Sequence, residues 1–77
     1  MSFVKAAYKI LKLAQEPLTT EEIVSRAINK DLIKTHGKTP VDTMWASLYN
    51  ENKRREKRGQ KTRFTQHPNR IWELKKE

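Results

Sequence analysis

The sequence contains no cysteine and no long hydrophobic run, and these absences exclude several classes of protein. Without cysteine there is no disulfide, no thiolate nucleophile and no cysteine-ligated zinc site among the 77 residues. No stretch approaches the roughly 18 consecutive apolar residues of a membrane-spanning helix, so we expect no membrane contact. The first residues carry no signal-peptide pattern, and we expect an intracellular location, in the cytoplasm, the nucleoid or the nucleus.

Residues that could carry catalysis or bind a metal are also scarce. The two histidines, His36 and His67, are far apart and lack partners at ligand spacing. No serine–histidine–carboxylate set or paired carboxylates stand out. Residues 37–39 resemble the end of a phosphate-binding P-loop, but that motif needs a glycine where this chain has Leu32. We therefore predict no enzymatic activity, no cofactor and no metal ion.

Acidic residues are few, and this imbalance is the strongest compositional signal. Seventeen lysines and arginines face nine aspartates and glutamates, which gives a formal net charge of +8. A field of that sign favours a polyanionic partner. The cations concentrate between residues 53 and 63, where only Glu56 opposes them; a solvated loop or a nuclear localisation tract is the alternative interpretation. The phosphate-binding candidates in this run are Lys53, Arg54, Arg55, Lys57, Arg58, Lys61 and Arg63.

Apolar spacing predicts two helices in the first 30 residues. A stripe with three- and four-residue spacing predicts a helix over residues 2–15, with Ser2 as its N-cap and its end before Pro17. Residues 17–18 then form a short extended link. Thr19 and Glu22 form a capping box that starts a second helix, which ends near residue 30. Leu32 and Ile33 are expected to pack under it, and residues 34–38 to form a polar turn.

A third helix is predicted from residue 40 to about residue 54. Thr39 is expected to cap it, and Pro40 takes the first helical position. At 100° per residue, one side of this helix is apolar and the other is polar. The apolar, core-facing side comprises Val41, Met44, Trp45, Leu48 and Tyr49. The outer side comprises Thr43, Ala46, Ser47, Asn50, Lys53 and Arg54.

The outer side of the third helix has the composition of a DNA recognition helix. Small residues near its start permit close approach, and its amide and hydroxyl groups can bond to base edges in a major groove. Thr43, Ser47 and Asn50 are the base-reading candidates. Lys38 and Thr39, with the helix N-terminus, are candidates to hold a phosphate. The alternative interpretation is an ordinary solvated helix face.

The remaining residues predict a β-hairpin and complete the fold class. Residues 64–66 are expected to pair with residues 71–74 across a turn at residues 67–70. His67, Asn69 and Arg70 are the candidates for a DNA-contacting wing. Residues 1–77 are thus expected to form one α+β domain, a small winged helix-turn-helix. The expected core residues are Phe3, Ile10, Leu11, Ile23, Ile28, Leu48, Phe64, Trp72 and Leu74.

The chain also resembles a known family, the HARE-type helix-turn-helix domain. The most specific matching segments are Pro17-Leu18-Thr19, Gly37-Lys38-Thr39-Pro40 and Trp72-Glu73-Leu74, and the resemblance covers nearly the whole chain. It departs at residues 67–69, where relatives usually carry glycine, and in its longer, more basic segment after the third helix. The resemblance implies a winged helix that binds DNA. Such domains occur in Asx-like chromatin proteins, in restriction endonucleases and DNA glycosylases, and in the delta subunit of RNA polymerase.

Three functional hypotheses follow, in order of preference. The first is a module that binds double-stranded DNA, with the third helix in the major groove and the basic run and wing on the backbone. It could target a DNA-modifying, restriction, transcription or chromatin machinery. The second is a delta-like protein-interaction module of the transcription machinery, which would have no need of the basic run. The third is an RNA or single-strand binder, which requires exposed aromatic side chains.

Overall fold

The computed structural model describes residues 2–34 and 39–75. Over these residues the chain forms three helices and a small antiparallel sheet, which confirms the predicted α+β winged-helix class. No helix in the described part of the chain is long and apolar enough to cross a membrane. The elements in chain order are α1 (Phe3–Ala14), β1 (Leu18–Thr19), α2 (Thr20–Asn29), α3 (Pro40–Lys57), β2 (Phe64–His67), a 3₁₀ turn (Pro68–Arg70) and β3 (Ile71–Leu74).

Side-chain caps start the first two helices, as predicted. The Ser2 hydroxyl accepts a hydrogen bond from the Lys5 amide at the start of α1. At the start of α2, the Thr19 hydroxyl accepts from the Glu22 amide, and the Thr19 amide donates to the Glu22 carboxylate. The hydrogen bond from the Thr19 amide is the main cause that lowers the pKa of Glu22. The capping box therefore fixes the chain direction between β1 and α2.

The third helix begins where it was predicted to begin and ends later. Thr39 occupies the N-cap position and Pro40 is the first helical residue, as predicted, but the Thr39 side chain makes no capping hydrogen bond. Its carbonyl accepts instead from the Thr43 hydroxyl. At the other end α3 continues to Lys57, three residues beyond the predicted end, and Gly59 follows with φ +70°. The first half of the basic run is therefore helical, because lysine, arginine and glutamate are good helix formers and nothing interrupts them before Gly59.

The sheet contains one strand that the sequence did not predict. The hairpin is confirmed, with Phe64 opposite Leu74 and His67 opposite Ile71. Leu18, interpreted as part of an extended link, instead belongs to β1 and pairs with Trp72 of β3. The strand order is β1-β3-β2. A strand of two residues carries no periodicity, and only its pairing with β3 identifies it.

The core lies between the three helices and the inner face of the sheet. Its largest fully buried side chains include Trp72, Phe64 and Leu18, with Met44 and Leu48 from α3. Most predicted core residues are buried or packed against the core, and Ile33 is buried as expected. The wrong assignments are Ile28, exposed near the end of α2, and Tyr49, 37% exposed on α3.

Candidate nucleic-acid interface

The predicted base-reading residues lie together on the outer side of α3. Thr43 and Asn50 are exposed and Ser47 is half-buried. Successive residues turn by about 100°, which puts all three within a sector of about 60° on the helix surface. We define the outer face of α3 as Thr43, Ala46, Ser47, Asn50, Lys53, Arg54 and Lys57. Six of its seven members are exposed, and none is acidic.

An aromatic stack connects this face to the core. Trp45 and Tyr49 are stacked, with ring centroids 5.2 Å apart and an interplanar angle of 12°. Trp45 also makes an edge contact with buried Trp72, at 6.3 Å between centroids. The Lys53 ammonium lies 5.4 Å from the centroid of the Tyr49 ring. The exposure of Tyr49 thus has a structural use, because its ring positions a cation of the outer face.

Two of the predicted phosphate-binding arginines are paired with a carboxylate that sequence reasoning overlooked. Arg55 Nε donates to Glu51 Oε2 at 2.6 Å, and Arg63 Nη2 donates to the same oxygen at 3.2 Å. The hydrogen bond from Arg55 is the largest cause that lowers the pKa of Glu51, and Arg63 adds to it. Arg55 Nη1 also donates to the Lys61 carbonyl. The i,i+4 spacing of Glu51 and Arg55 was the available sequence signal.

The Glu51 cluster therefore joins the last turns of α3 to the segment that leads into β2. Asn52 adds to this junction, since its side-chain amide donates to the Phe64 carbonyl at 3.0 Å. Arg55 lies about 140° around the helix from Asn50, away from the outer face. The structure thus divides the basic run into two groups that point in different directions. Arg58 and Lys61 are exposed in the connection beyond α3.

The wing turn lies beside the opposite end of α3. Arg70 Nη1 is 3.0 Å from Oδ1 of Asp42, in the first turn of that helix, and both side chains are about 60% exposed. The Arg70 carbonyl accepts a hydrogen bond from the Thr20 hydroxyl at 2.8 Å. Asn69 and Arg70 have φ values of 65° and 60°, the left-handed region that glycine adopts most easily. His67, the third wing candidate, is half-buried, with Nε2 2.9 Å from Oε1 of Glu73.

The other two phosphate-binding candidates are Thr39 and Lys38. Thr39 is exposed at the start of α3, where its position suits a phosphate contact, whereas Lys38 lies outside the described residues. Among residues 2–34 and 39–75, no group of three histidines or carboxylates is arranged to hold a metal ion.

Comparison with known proteins identifies the family. A family model described as the HARE-HTH domain, an HTH domain of ASXL and restriction endonuclease proteins, matches residues 1–74. Searches of curated proteins and of solved structures found no match. The matched range contains α2 and α3, the helix-turn-helix pair, and the complete hairpin. The chain belongs to the HARE-HTH family, whose helix-turn-helix fold indicates a DNA-binding module.

Proposed function

We propose that the chain binds double-stranded DNA through the outer face of α3 and performs no chemistry of its own. The observation that carries this proposal is the composition of that face. Its small and amide side chains come first, its cations come last, and it contains no carboxylate. An α-helix fits the major groove of B-DNA, where each base pair presents a distinct pattern of donors and acceptors.

The proposed roles of the α3 side chains follow from their chemistry and from their position along the helix. Asn50 can make a bidentate pair with adenine, and Thr43 and Ser47 offer less selective hydroxyl groups. Lys53, Arg54 and Lys57 follow in the last two turns, where their long side chains can reach phosphates. Each neutralised phosphate releases condensed counterions, so these cations supply affinity for any sequence.

The wing and the start of α3 are proposed to contact the backbone on the other side of the groove. Arg70 points from the turn towards the first turn of α3, and its pair with Asp42 is exposed and therefore weak. A left-handed backbone costs an arginine about 1–2 kcal/mol that a glycine avoids. Stability therefore does not explain why an arginine occupies position 70, whereas a contact to DNA gives its side chain a role. Thr39, with Lys38, is proposed to hold a phosphate at the N-terminus of α3.

The biological context is proposed from the family. Its description names the HTH domain of restriction endonucleases. We infer that the chain targets a DNA-modifying, restriction, transcription or chromatin machinery to DNA. A delta-like protein-interaction role is the alternative, and the acid-free outer face of α3 argues for the DNA-binding role.

The deciding experiment is a fluorescence titration at several salt concentrations. A random duplex is compared with single-stranded DNA and with RNA of equal length. We expect micromolar duplex binding that weakens steeply as salt rises, with weaker binding of both single strands. Tryptophan fluorescence provides a second readout, which tests for stacking of bases on the aromatic side chains. Trp72 is fully buried and is not available for such stacking. Absence of duplex binding at low salt would contradict the proposal and favour a protein partner.

A further inference from the structure

A second cationic surface lies away from the outer face of α3. It is a groove between α1, the segment that leads into β2 and the end of β3. We call it the basic cleft and define it by Tyr8, Lys12, Arg55, Lys61, Arg63 and Lys75. Five of these six residues are cations, and they come from three separate parts of the chain. The fold therefore brings together cations that are far apart in the sequence.

The cations of the basic cleft are held in position by the fold. The Tyr8 ring lies between two of them, 5.8 Å from the Lys12 ammonium and 5.1 Å from the Arg63 guanidinium, each measured to the ring centroid. The Glu51 carboxylate orients Arg55 and Arg63 from behind. The Lys75 amide donates to the Arg63 carbonyl at 2.8 Å. Side chains fixed in this way lose less freedom when a ligand binds.

Among residues 2–34 and 39–75, the carboxylates near the cleft do not neutralise this charge. Glu51 faces two guanidinium groups, so one negative charge is shared between two positive ones. Glu16 and Glu73 line the neighbouring groove beside Lys12, and Glu73 is paired with His67 across the hairpin. The basic cleft thus keeps an excess of positive charge, which an anionic ligand would relieve.

The composition of the cleft favours nucleic acid over an acidic protein. Its cations include three lysines, and lysine is depleted at protein–protein interfaces. Protein–nucleic acid interfaces are more polar and much more positively charged. Tyr8 is only half-buried, and Leu74 is the other apolar side chain of the groove. The exposed apolar area that would anchor a protein partner is therefore small.

We infer that the basic cleft is a second site for the phosphate backbone of nucleic acid, so that one molecule holds two separate duplex segments. The separation follows from helix geometry, because Arg55 lies about 140° around α3 from Asn50. A duplex that accommodates the outer face of α3 in its groove would therefore approach from a different direction and leave the cleft open. The two-duplex complex rests on the proposed function, whereas binding in the cleft itself does not.

The test is an NMR titration of the ¹⁵N-labelled full chain with a short duplex at low salt. The amides of Tyr8, Lys12 and Thr62, which also lines the groove, report on the cleft. Those of Thr43 and Asn50 report on the outer face. We expect outer-face shifts to finish near one equivalent of duplex and cleft shifts to continue towards two. Donor- and acceptor-labelled duplexes mixed with half an equivalent of protein should then show energy transfer.

A charge-matched pair of variants isolates the cleft. The first replaces Lys12, Lys61 and Lys75 with glutamine, and the control replaces Lys5, Lys9 and Lys30; all six lysines are exposed. We expect the cleft variant to lose energy transfer and to bind the second duplex at least about fivefold more weakly, as the loss of several phosphate contacts requires. The control variant should bind both the first and the second duplex as the wild type does.

Four outcomes decide the matter. Equal energy transfer in the two variants would overturn the inference, as would cleft shifts that finish with the first equivalent. A glutamate-rich peptide that shifts the cleft amides at a lower concentration than the duplex would overturn it in favour of a protein partner. Shifts confined to the cleft would support the second site and contradict the proposed function of the outer face.

Discussion

The two halves of α3 are held in place by different interactions. In the first half, residues 40–49, Met44 and Leu48 are fully buried and Trp45 packs against the core. In the second half, residues 50–57, no side chain is buried, and polar contacts of Glu51 and Asn52 attach the helix to the segment before β2. The first half thus maintains the fold, and the second projects cations beyond the core. Changes to the buried residues of the first half and to the exposed cations of the second half should therefore separate stability from DNA binding.

The largest effect is expected from the first half. Leu48→Ala removes a fully buried side chain that contributes to the core. Such truncations cost about 2–5 kcal/mol through lost transfer energy and a residual cavity, a large share of the stability of a domain this small. Urea denaturation followed by tryptophan fluorescence measures the loss. A cost below about 1 kcal/mol would contradict the role assigned to this half.

The second effect falls on affinity and leaves the fold intact. Replacing Lys53, Arg54 and Lys57 with glutamine removes three exposed cations from the outer face. We expect duplex affinity to fall about tenfold or more at 0.1 M salt, and the slope of log K against log salt to flatten by up to about 3. The melting temperature should change little.

The control for that variant replaces Lys5, Lys9 and Lys30, which removes the same charge from other exposed positions. Comparable losses of affinity in the two variants would show that net charge alone drives binding. By sequence, Lys53, Arg54 and Arg55 are consecutive phosphate-binding candidates and would be the natural set to neutralise. The structure replaces Arg55 with Lys57, because Arg55 is paired with Glu51 and lies away from the outer face.

A smaller effect on stability is expected at Glu51, which attaches the second half of α3 to the segment before β2. Glu51→Gln weakens the bonds to Arg55 and Arg63 and should cost about 1 kcal/mol, or about 4–8 °C in melting temperature. The pKa of Glu51 is lowered in the folded chain, so its carboxylate stabilises the fold above the unfolded pKa. That contribution is lost as pH falls from about 4.5 through the lower folded value.

Melting curves at pH 7 and at successively lower pH test this assignment. The wild type should lose stability on acidification, and the difference between wild type and Glu51→Gln should shrink. A difference that stays constant down to pH 2 would show that the substitution acts through packing rather than through charge. Glu51 orients Arg55 and Arg63, which belong to the basic cleft and not to the outer face. The substitution should therefore change the duplex affinity of the outer face less than it changes stability.

The smallest expected change in total duplex affinity accompanies a change in sequence preference. Ser47→Ala with Asn50→Ala removes a hydroxyl and an amide from the outer face while leaving its cations in place. Total duplex affinity should fall only a fewfold, whereas discrimination between preferred and other sequences should fall by about 1–3 kcal/mol per lost base contact. Selection from a random duplex library, performed with both proteins, compares the preferences. Identical selected sequences would contradict base reading by this face.

Much of the fold could be predicted because local signals agreed with the global structure. The stripe of α1, the Thr19–Glu22 capping box and the turn residues of the hairpin each act over a few residues, and all were confirmed. The strand at Leu18 could not be predicted, since it exists only through its pairing with Trp72. The helix α3 extends beyond its predicted end, because the apolar pattern stops before the helix does. Charged residues continued it to Lys57 without burial.

The residues of the site could largely be predicted from the sequence, but their arrangement in space could not. The sequence identified the cations of residues 53–63 and the polar side of the third helix. It could not show that Arg55 and Arg63 share Glu51, or that Arg63 lies against Tyr8 of α1. These contacts depend on how the chain returns past α1 after Gly59. Long-range packing therefore decides which cations belong to the outer face and which to the basic cleft.

The most direct test of the central claim locates α3 on bound DNA. Because the chain has no cysteine, Ser47→Cys introduces a single thiol on the outer face, and an iron chelate attached there cleaves DNA within reach. Leu13→Cys, 61% exposed on α1, is the control. At one equivalent of a duplex that contains a selected site, we predict localised cleavage across one major groove from position 47 and little from position 13. Equal or weaker cleavage from position 47 would contradict docking through α3.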